Sequence, residues 1–211
     1  DIISISAVGS LKKEIKPGSF VIVNQYIDKT YKRANTFFDK DLIAHVSLSK
    51  PNSISLEKAC TEVLTNRGYE YNKDIIYVAI EGPQLSTIAE SHLHYTQGFD
   101  VVGMTNMPEA RIAREAEIRY QSLGMVTDYD ACKIDGDSVD VSKIIEVMKQ
   151  MTGKAENVIK DLIELFDTHA IDNDPILTCL DQSIISDLKK VSNETKNDLK
   201  FILQRYMAKN N

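Results

Sequence analysis

The sequence predicts an α/β protein built on a largely parallel or mixed sheet. Three observations predict it. Short runs rich in β-branched residues recur from Ile2 onwards. Helix-like stretches alternate with them between Ser55 and Asp128. Polar clusters fall at the ends of several runs. Strands that alternate with helices in this order pair largely in parallel, because the helices carry the crossovers. With 211 residues, 43% of them hydrophobic, the chain can bury one substantial core and is too apolar for a disordered segment. No repeat, low-complexity tract or linker divides it, so residues 1–211 are read as a single domain.

The expected strands are Ile2 to Ser6, Phe20 to Tyr26, Leu42 to Leu48, Ile75 to Glu81, Asp100 to Met104 and Ser122 to Asp128. The chain enters the first at once after Asp1. Domain ends favour exposed segments, so material is expected to precede Asp1. Ser55 to Arg67 carries Leu56, Ala59, Cys60, Val63 and Leu64 at helical spacing; Ser86 to Thr96 and Pro108 to Tyr120 are further helices, the last with proline at its first position. Beyond Asp130 the pattern becomes helical. Val141 to Asp167 reads as one long amphipathic helix and Asp181 to Met207 as another, with a break at Asp172 to Pro175.

Composition removes several classes of function. A net charge of −6 argues against binding a phosphate backbone, and no aromatic platform is interleaved with basic residues. The apolar runs are too short to cross a bilayer and no leader opens the chain, so a cytoplasmic protein is expected. Cys60, Cys132 and Cys179 are widely spaced, form no CxxC pair and read as reduced thiols. His92, His94 and His169 have no metal spacing, and no metal is expected.

Ligands of open α/β sheets sit beyond strand ends. Four clusters fall there: Ser6-Ala7-Val8-Gly9-Ser10, Glu81-Gly82-Pro83, Met104-Thr105-Asn106 and Asp128-Tyr129-Asp130. The first reads as a small-residue turn whose N–H groups suit an anion, or as an ordinary tight turn. The last is the most informative. In extended backbone, positions i and i+2 face the same side, so Asp128 and Asp130 can converge on one small polar ligand. A base with an amino group and a ring nitrogen that gains a proton is such a ligand; two solvent-facing capping aspartates are the plainer alternative.

In this order, SAVGSL at Ser6, PGSFVIVNQYIDKT at Pro17, IEGPQLSTIAES at Ile80, MTNMPEA at Met104 and VTDYDAC at Val126 resemble the methylthioadenosine phosphorylases of the purine nucleoside phosphorylase superfamily. The likeness covers roughly the first 150 residues, and the C-terminal helices match only in general character. It implies a mixed sheet forming a distorted barrel surrounded by helices, assembled as a homotrimer, here without its N-terminal third. It also implies phosphorolysis of a nucleoside, giving adenine and 5-methylthioribose 1-phosphate from 5′-methylthioadenosine. Inorganic phosphate is then a co-substrate and no cofactor is required. Related substrates, 5′-methylthioinosine or adenosine, and a catalytically silent nucleoside-binding relative are the alternatives.

The resemblance also assigns residues. Asp128 matches the aspartate that supports protonation at purine N7, and Asp130 the one near the exocyclic amino group. Met104 matches a methionine beneath the ribose. Ser6, Ala7 and Thr105 match phosphate contacts. His45 matches a histidine that approaches the 5′ end of the sugar from a neighbouring subunit. Ser86 stands where 6-oxopurine enzymes carry glutamate, and Gln84 and Leu85 replace an arginine and a base-stacking phenylalanine. A Gly-rich phosphate segment and an Arg-His pair would precede Asp1, so an active enzyme is expected when complete and no catalysis from this chain alone.

Overall fold

The computed structural model describes residues 1–130, 141–168 and 174–210. Five strands close into one barrel. They are β1 (Ile2–Ser10), β2 (Phe20–Asp28), β3 (Tyr71–Ala79), β4 (Val101–Gly103) and β5 (Tyr120–Tyr129), in the order β1-β4-β3-β2-β5. The pairing is mixed: β1 with β5, β2 with β3 and β3 with β4 are parallel, while β1 with β4 and β2 with β5 are antiparallel. Helices α1 (Ile54–Asn66), α2 (Ile88–Thr96), α3 (Glu109–Glu115) and α4 (Val141–Thr168) lie between or after the strands, followed by a 3-10 stretch at Pro175–Gln182 and helices α5 (Asn193–Asp198) and α6 (Lys200–Asn210).

Alternation along β2 explains how one barrel serves two cores. Val21 and Val23 join Val8, Ile75, Tyr77, Val101 and Val126 in one cluster. Phe20 and Ile22 join Leu123 and Met125 in another, closed by Cys60, Val63 and Leu64 of α1 and by Met151, Val158 and Leu162 of α4. Period-two alternation sends neighbours to opposite faces, so β2 is apolar throughout because both of its faces are covered. Helix α1 begins where the Ser53 hydroxyl accepts from the Leu56 N–H (3.3 Å). Thr87 and Glu90 form a reciprocal capping box on α2.

The structure departs from the sequence expectations at four elements. Strand β1 runs on through Ala7, Val8 and Gly9 to Ser10, so no turn forms there; the parallel ladder with β5 holds the whole segment extended. Leu42 to Leu48 is not a barrel strand. Among the described residues its one bridge joins Ala44 to Ile184, and Leu42 packs with Phe38, Leu180, Val191, Leu199 and Leu203 in a separate apolar cluster. The run is apolar because it covers the C-terminal elements. Helix α3 stops at Glu115, since Glu117 adopts a left-handed conformation (φ 56°) and the chain turns into β5. Asp181 to Met207 is broken rather than continuous. Asp187 accepts from the Lys189 N–H, and the Ser192 hydroxyl caps α5 by accepting from the Thr195 N–H. Such side chains compete with helical bonding. The expected break at Asp172 to Pro175 lies partly outside the described residues, as do Cys132, His169 and the last two residues of the VTDYDAC motif.

Candidate active site

Strands β1 and β4 pair over only two positions, Gly9 with Val102 and Ser10 with Val101. A cleft of about 280 Å³ opens at this seam. Its walls are the end of β1 (Ala7, Val8, Gly9), the loop after β3 (Ile80, Leu85, Ser86), the end of β4 with the residues that follow (Val102 to Thr105), and the end of β5 (Thr127, Asp128, Asp130). Ile144 of α4 closes one side. The cleft thus gathers part of three of the four expected strand-end clusters (Ala7 to Gly9, Met104-Thr105, and Asp128 with Asp130) and Leu85-Ser86 beyond the fourth. It does so at a seam between oppositely directed strands of a closed barrel, not at one edge of an open sheet.

A register shift aims the carboxylates. Val8 pairs with Val126, but Gly9 pairs with Asp128, leaving Thr127 as an extra residue in β5. Asp128 and Asp130 both reach the cleft from this bulged end. Gly9 faces them without a side chain: a Cβ there would stand 3.3 Å from Asp128 Oδ2 and 3.6 Å from Asp130 Cβ. The Thr127 hydroxyl donates to Asp128 Oδ1 (2.7 Å). Burial raises the Asp128 carboxyl above the ordinary carboxylate range, the Thr127 hydrogen bond opposes this, and the Asp130 charge adds to the rise. Asp130 is 4% exposed. Its backbone N–H donates to the Ser10 carbonyl (2.8 Å), while Oδ2 is buried and has no hydrogen-bond partner among the described residues. The Ser86 hydroxyl is also buried and unpartnered among the described residues. Buried polar atoms are nearly always satisfied, so an acceptor and a hydroxyl left open on one cleft suit an occupant with both donors and acceptors.

The opposite wall is interlocked. Gly82 has φ 69°, a conformation glycine adopts without strain, and a Cβ there would collide with the Met104 thioether. Leu85 is 46% exposed and presents an aliphatic edge to the cleft. Thr105 lines the cleft, with its N–H donating to the Tyr77 hydroxyl (3.2 Å).

The structure therefore brings together Asp128, Asp130, Met104, Thr105, Leu85, Ser86 and Ala7. Ser6 lies off the cleft wall, and its hydroxyl donates to Asn106 Oδ1 (3.5 Å). His45 borders a separate surface depression with Arg111 and Glu115. Sequence reasoning gave no role to Thr127 or Ile144. Thr127 sits inside the quoted TDYD run, whereas Ile144 looks like any other apolar position of α4. Among the described residues no group of three His, Cys, Asp or Glu side chains could hold a metal ion.

A mixed barrel wrapped in helices, with a carboxylate pair and hydroxyl groups at its seam, defines a small-molecule site of the α/β class. Residues 1–164 match the model of the phosphorylase superfamily, and the chain belongs to that family. It is 46% identical over 160 residues to the S-methyl-5′-thioadenosine phosphorylase of Rhodospirillum rubrum, covering 76% of this chain and 54% of that protein. It is 39% identical over 207 residues to the enzyme of that name from Geobacter sulfurreducens, covering 98% of this chain and 72% of that protein. Its structure resembles a methylthioadenosine phosphorylase from an Antarctic soil metagenomic library, with a TM-score of 0.89 at 36% identity over 96% of this chain and 71% of the other. A methylthioadenosine phosphorylase from Schistosoma mansoni in complex with adenine gives a TM-score of 0.76 at 27% identity, covering 80% of this chain and 66% of that one. The chain thus spans little more than half the length of the Rhodospirillum relative. Among the described residues no helix is long and apolar enough to cross a membrane.

Proposed function

We propose that the cleft binds a 6-aminopurine nucleoside and that the chain provides the base site of a 5′-methylthioadenosine phosphorylase, yielding adenine and 5-methylthioribose 1-phosphate. One observation carries this reading: a half-buried carboxyl held above its ordinary pKa stands beside a buried carboxylate oxygen that lacks a partner among the described residues. The relatives named above support it.

In the reaction, a phosphate oxygen bonds to the anomeric carbon as the glycosidic bond breaks, and the bonding electrons pass to the purine. Positive charge grows on the ribose and negative charge on the base, so rate comes from groups that stabilise the separated charges. Asp128 is the catalytic residue: it shares a proton with N7 and makes adenine a better leaving group. Asp130 accepts from the 6-amino group, which an ionised carboxylate suits and a 6-oxo group does not. Ser86 and Leu85 border the base, and Met104 packs beneath the ribose. Thr105 and the Ala7 N–H face phosphate, and Ser6 contributes through its hydrogen bond to Asn106, the neighbour of Thr105. His45 of a neighbouring copy approaches the 5′ group in a cytoplasmic homotrimer. Inorganic phosphate is the co-substrate, with no resident cofactor.

The experiment is to incubate the complete enzyme, and its Asp128→Asn variant, with 5′-methylthioadenosine and phosphate and to quantify adenine. Asp128→Asn lowers turnover at least about tenfold, a floor beneath the usual general-acid range. Unchanged turnover rejects the role. Adenosine and 5′-methylthioinosine run in parallel rank the substrates. A second reading, a nucleoside binder without phosphorolysis, is favoured by the Ser6 hydroxyl, which is committed to Asn106. Adenine binding that ignores phosphate, with no product formed, selects it.

A further inference from the structure

Arg33 follows β2 outside any helix or strand, yet its guanidinium reaches two walls of the cleft. Nη1 donates to the Met104 carbonyl (2.6 Å) and to the Met107 carbonyl (2.8 Å). Nη2 donates to the Glu81 carbonyl (3.0 Å), and Nε faces the Glu81 carboxylate at 3.4 Å. One planar fork thus ties the turn after β4 to the turn after β3, a geometry that an ammonium lacks. The Met104–Thr105 peptide is held at both ends, because its oxygen accepts from Arg33 while its N–H donates to the Tyr77 hydroxyl (3.2 Å). A peptide is planar, so pinning both groups fixes the backbone torsions on either side and hence the directions of the Met104 and Thr105 side chains.

We infer that Arg33 is a positioning residue for nucleoside recognition: with Tyr77 it orients the Met104–Thr105 peptide, and through it the sugar-facing wall of the cleft. The second half of this statement rests on the nucleoside reading; the first does not.

The test has two arms, both on the full chain. The first needs no ligand. Methionine methyl groups are labelled with carbon-13, the Met104 signal is assigned by its loss in Met104→Leu, and spectra are recorded for Arg33→Lys, Arg33→Ala and Tyr77→Phe. The Met104 signal moves or splits in each variant while the Met125 and Met151 signals, from the opposite core, stay in place. An unmoved Met104 signal, or one that moves together with all the others, overturns the inference. The second arm is calorimetry with adenine and with 5′-methylthioadenosine. Arg33→Lys weakens the nucleoside about fivefold or more, while adenine stays within about twofold, as expected when contacts to the sugar alone are misaligned. Equal losses for both ligands overturn the role in recognition. A wild-type chain that binds neither ligand rejects the nucleoside reading, and the methyl spectra then decide the positioning role alone.

Discussion

Gly9→Ala probes the proposed base site with a single methyl group. Gly9 does not lie in the left-handed region, so alanine meets no backbone strain. The added Cβ stands 3.4 Å from Val102 Cγ1 and 3.6 Å from Asp130 Cβ, which are tolerable contacts, but 3.3 Å from Asp128 Oδ2, which must give by a few tenths of an ångström. The other oxygen, Oδ1, is held by the Thr127 hydroxyl at 2.7 Å, so the carboxyl yields by rotating Oδ2 out of the cleft. One hydrogen bond between a charged group and the base is then weakened, a loss of about 1.5–3 kcal/mol, or about ten- to a hundredfold in affinity. Stability moves far less, because a newly covered methyl contributes up to about 0.8 kcal/mol against slight crowding. Calorimetry with adenine, together with a urea unfolding curve for each protein, measures both. A folded Gly9→Ala variant that binds adenine as the parent does refutes the proposed contact of Asp128 with the base. Parallel losses of affinity and stability refute it too, since the methyl would then be acting on the fold.

Three further changes probe the site and its frame. Asp128→Asn raises the thermal midpoint near neutral pH: the raised folded-state pKa of Asp128 means its favourable contribution is present below the unfolded carboxylate value of about 3.9 and lost as pH rises through the folded value, so the gain fades in acid; a gain that grows as pH falls contradicts this sign. Gly103→Ala drives a Cβ into the Tyr77 hydroxyl and ring and disturbs the Thr105 N–H bond, costing about 1–3 kcal/mol in urea unfolding; an unchanged midpoint means that Tyr77 does not fill this space. Leu203→Ala, at a fully buried position of the C-terminal cluster, costs about 2–5 kcal/mol by the same measurement, and adenine affinity is retained because the cluster does not border the cleft.

The fold was legible where a segment's pattern had one structural cause. Ser55 to Arg67 carries a helical stripe because one face of α1 meets β2 and β5, and the structure places Leu56, Ala59, Cys60, Val63 and Leu64 in the core. Leu42 to Leu48 looks equally strand-like, but its apolar residues answer to α6 and the 3-10 stretch, distant partners that periodicity does not identify. Asp181 to Met207 has the apolar spacing of one helix, yet the Asp187 and Ser192 side chains bond backbone locally and divide it. Closure of the sheet came from the family resemblance alone, because a strand's alternation does not reveal whether the first and last strands meet.

The site shows the same limit at the scale of single residues. The Asp128–Asp130 spacing was legible because i and i+2 share a side in any extended segment. The bulge at Thr127 was not legible, since it arises from a register shift against β1 and leaves no mark in the sequence of β5. At Ser6 the outcome turns on parity. Once β1 is a strand through Ser10, Ser4 and Ser6 share one face, where Asn106 donates to Ser4 and accepts from Ser6. Ala7 and Gly9 share the other face and border the cleft. Reading this stretch as a turn suspends that rule and lets every hydroxyl point at an anion; reading it as a strand directs Ser6 to Asn106, the neighbour of Thr105. On that geometry Thr105 borders the cleft directly, while Ser6 is tied to it only through Asn106, in the turn that Arg33 also holds.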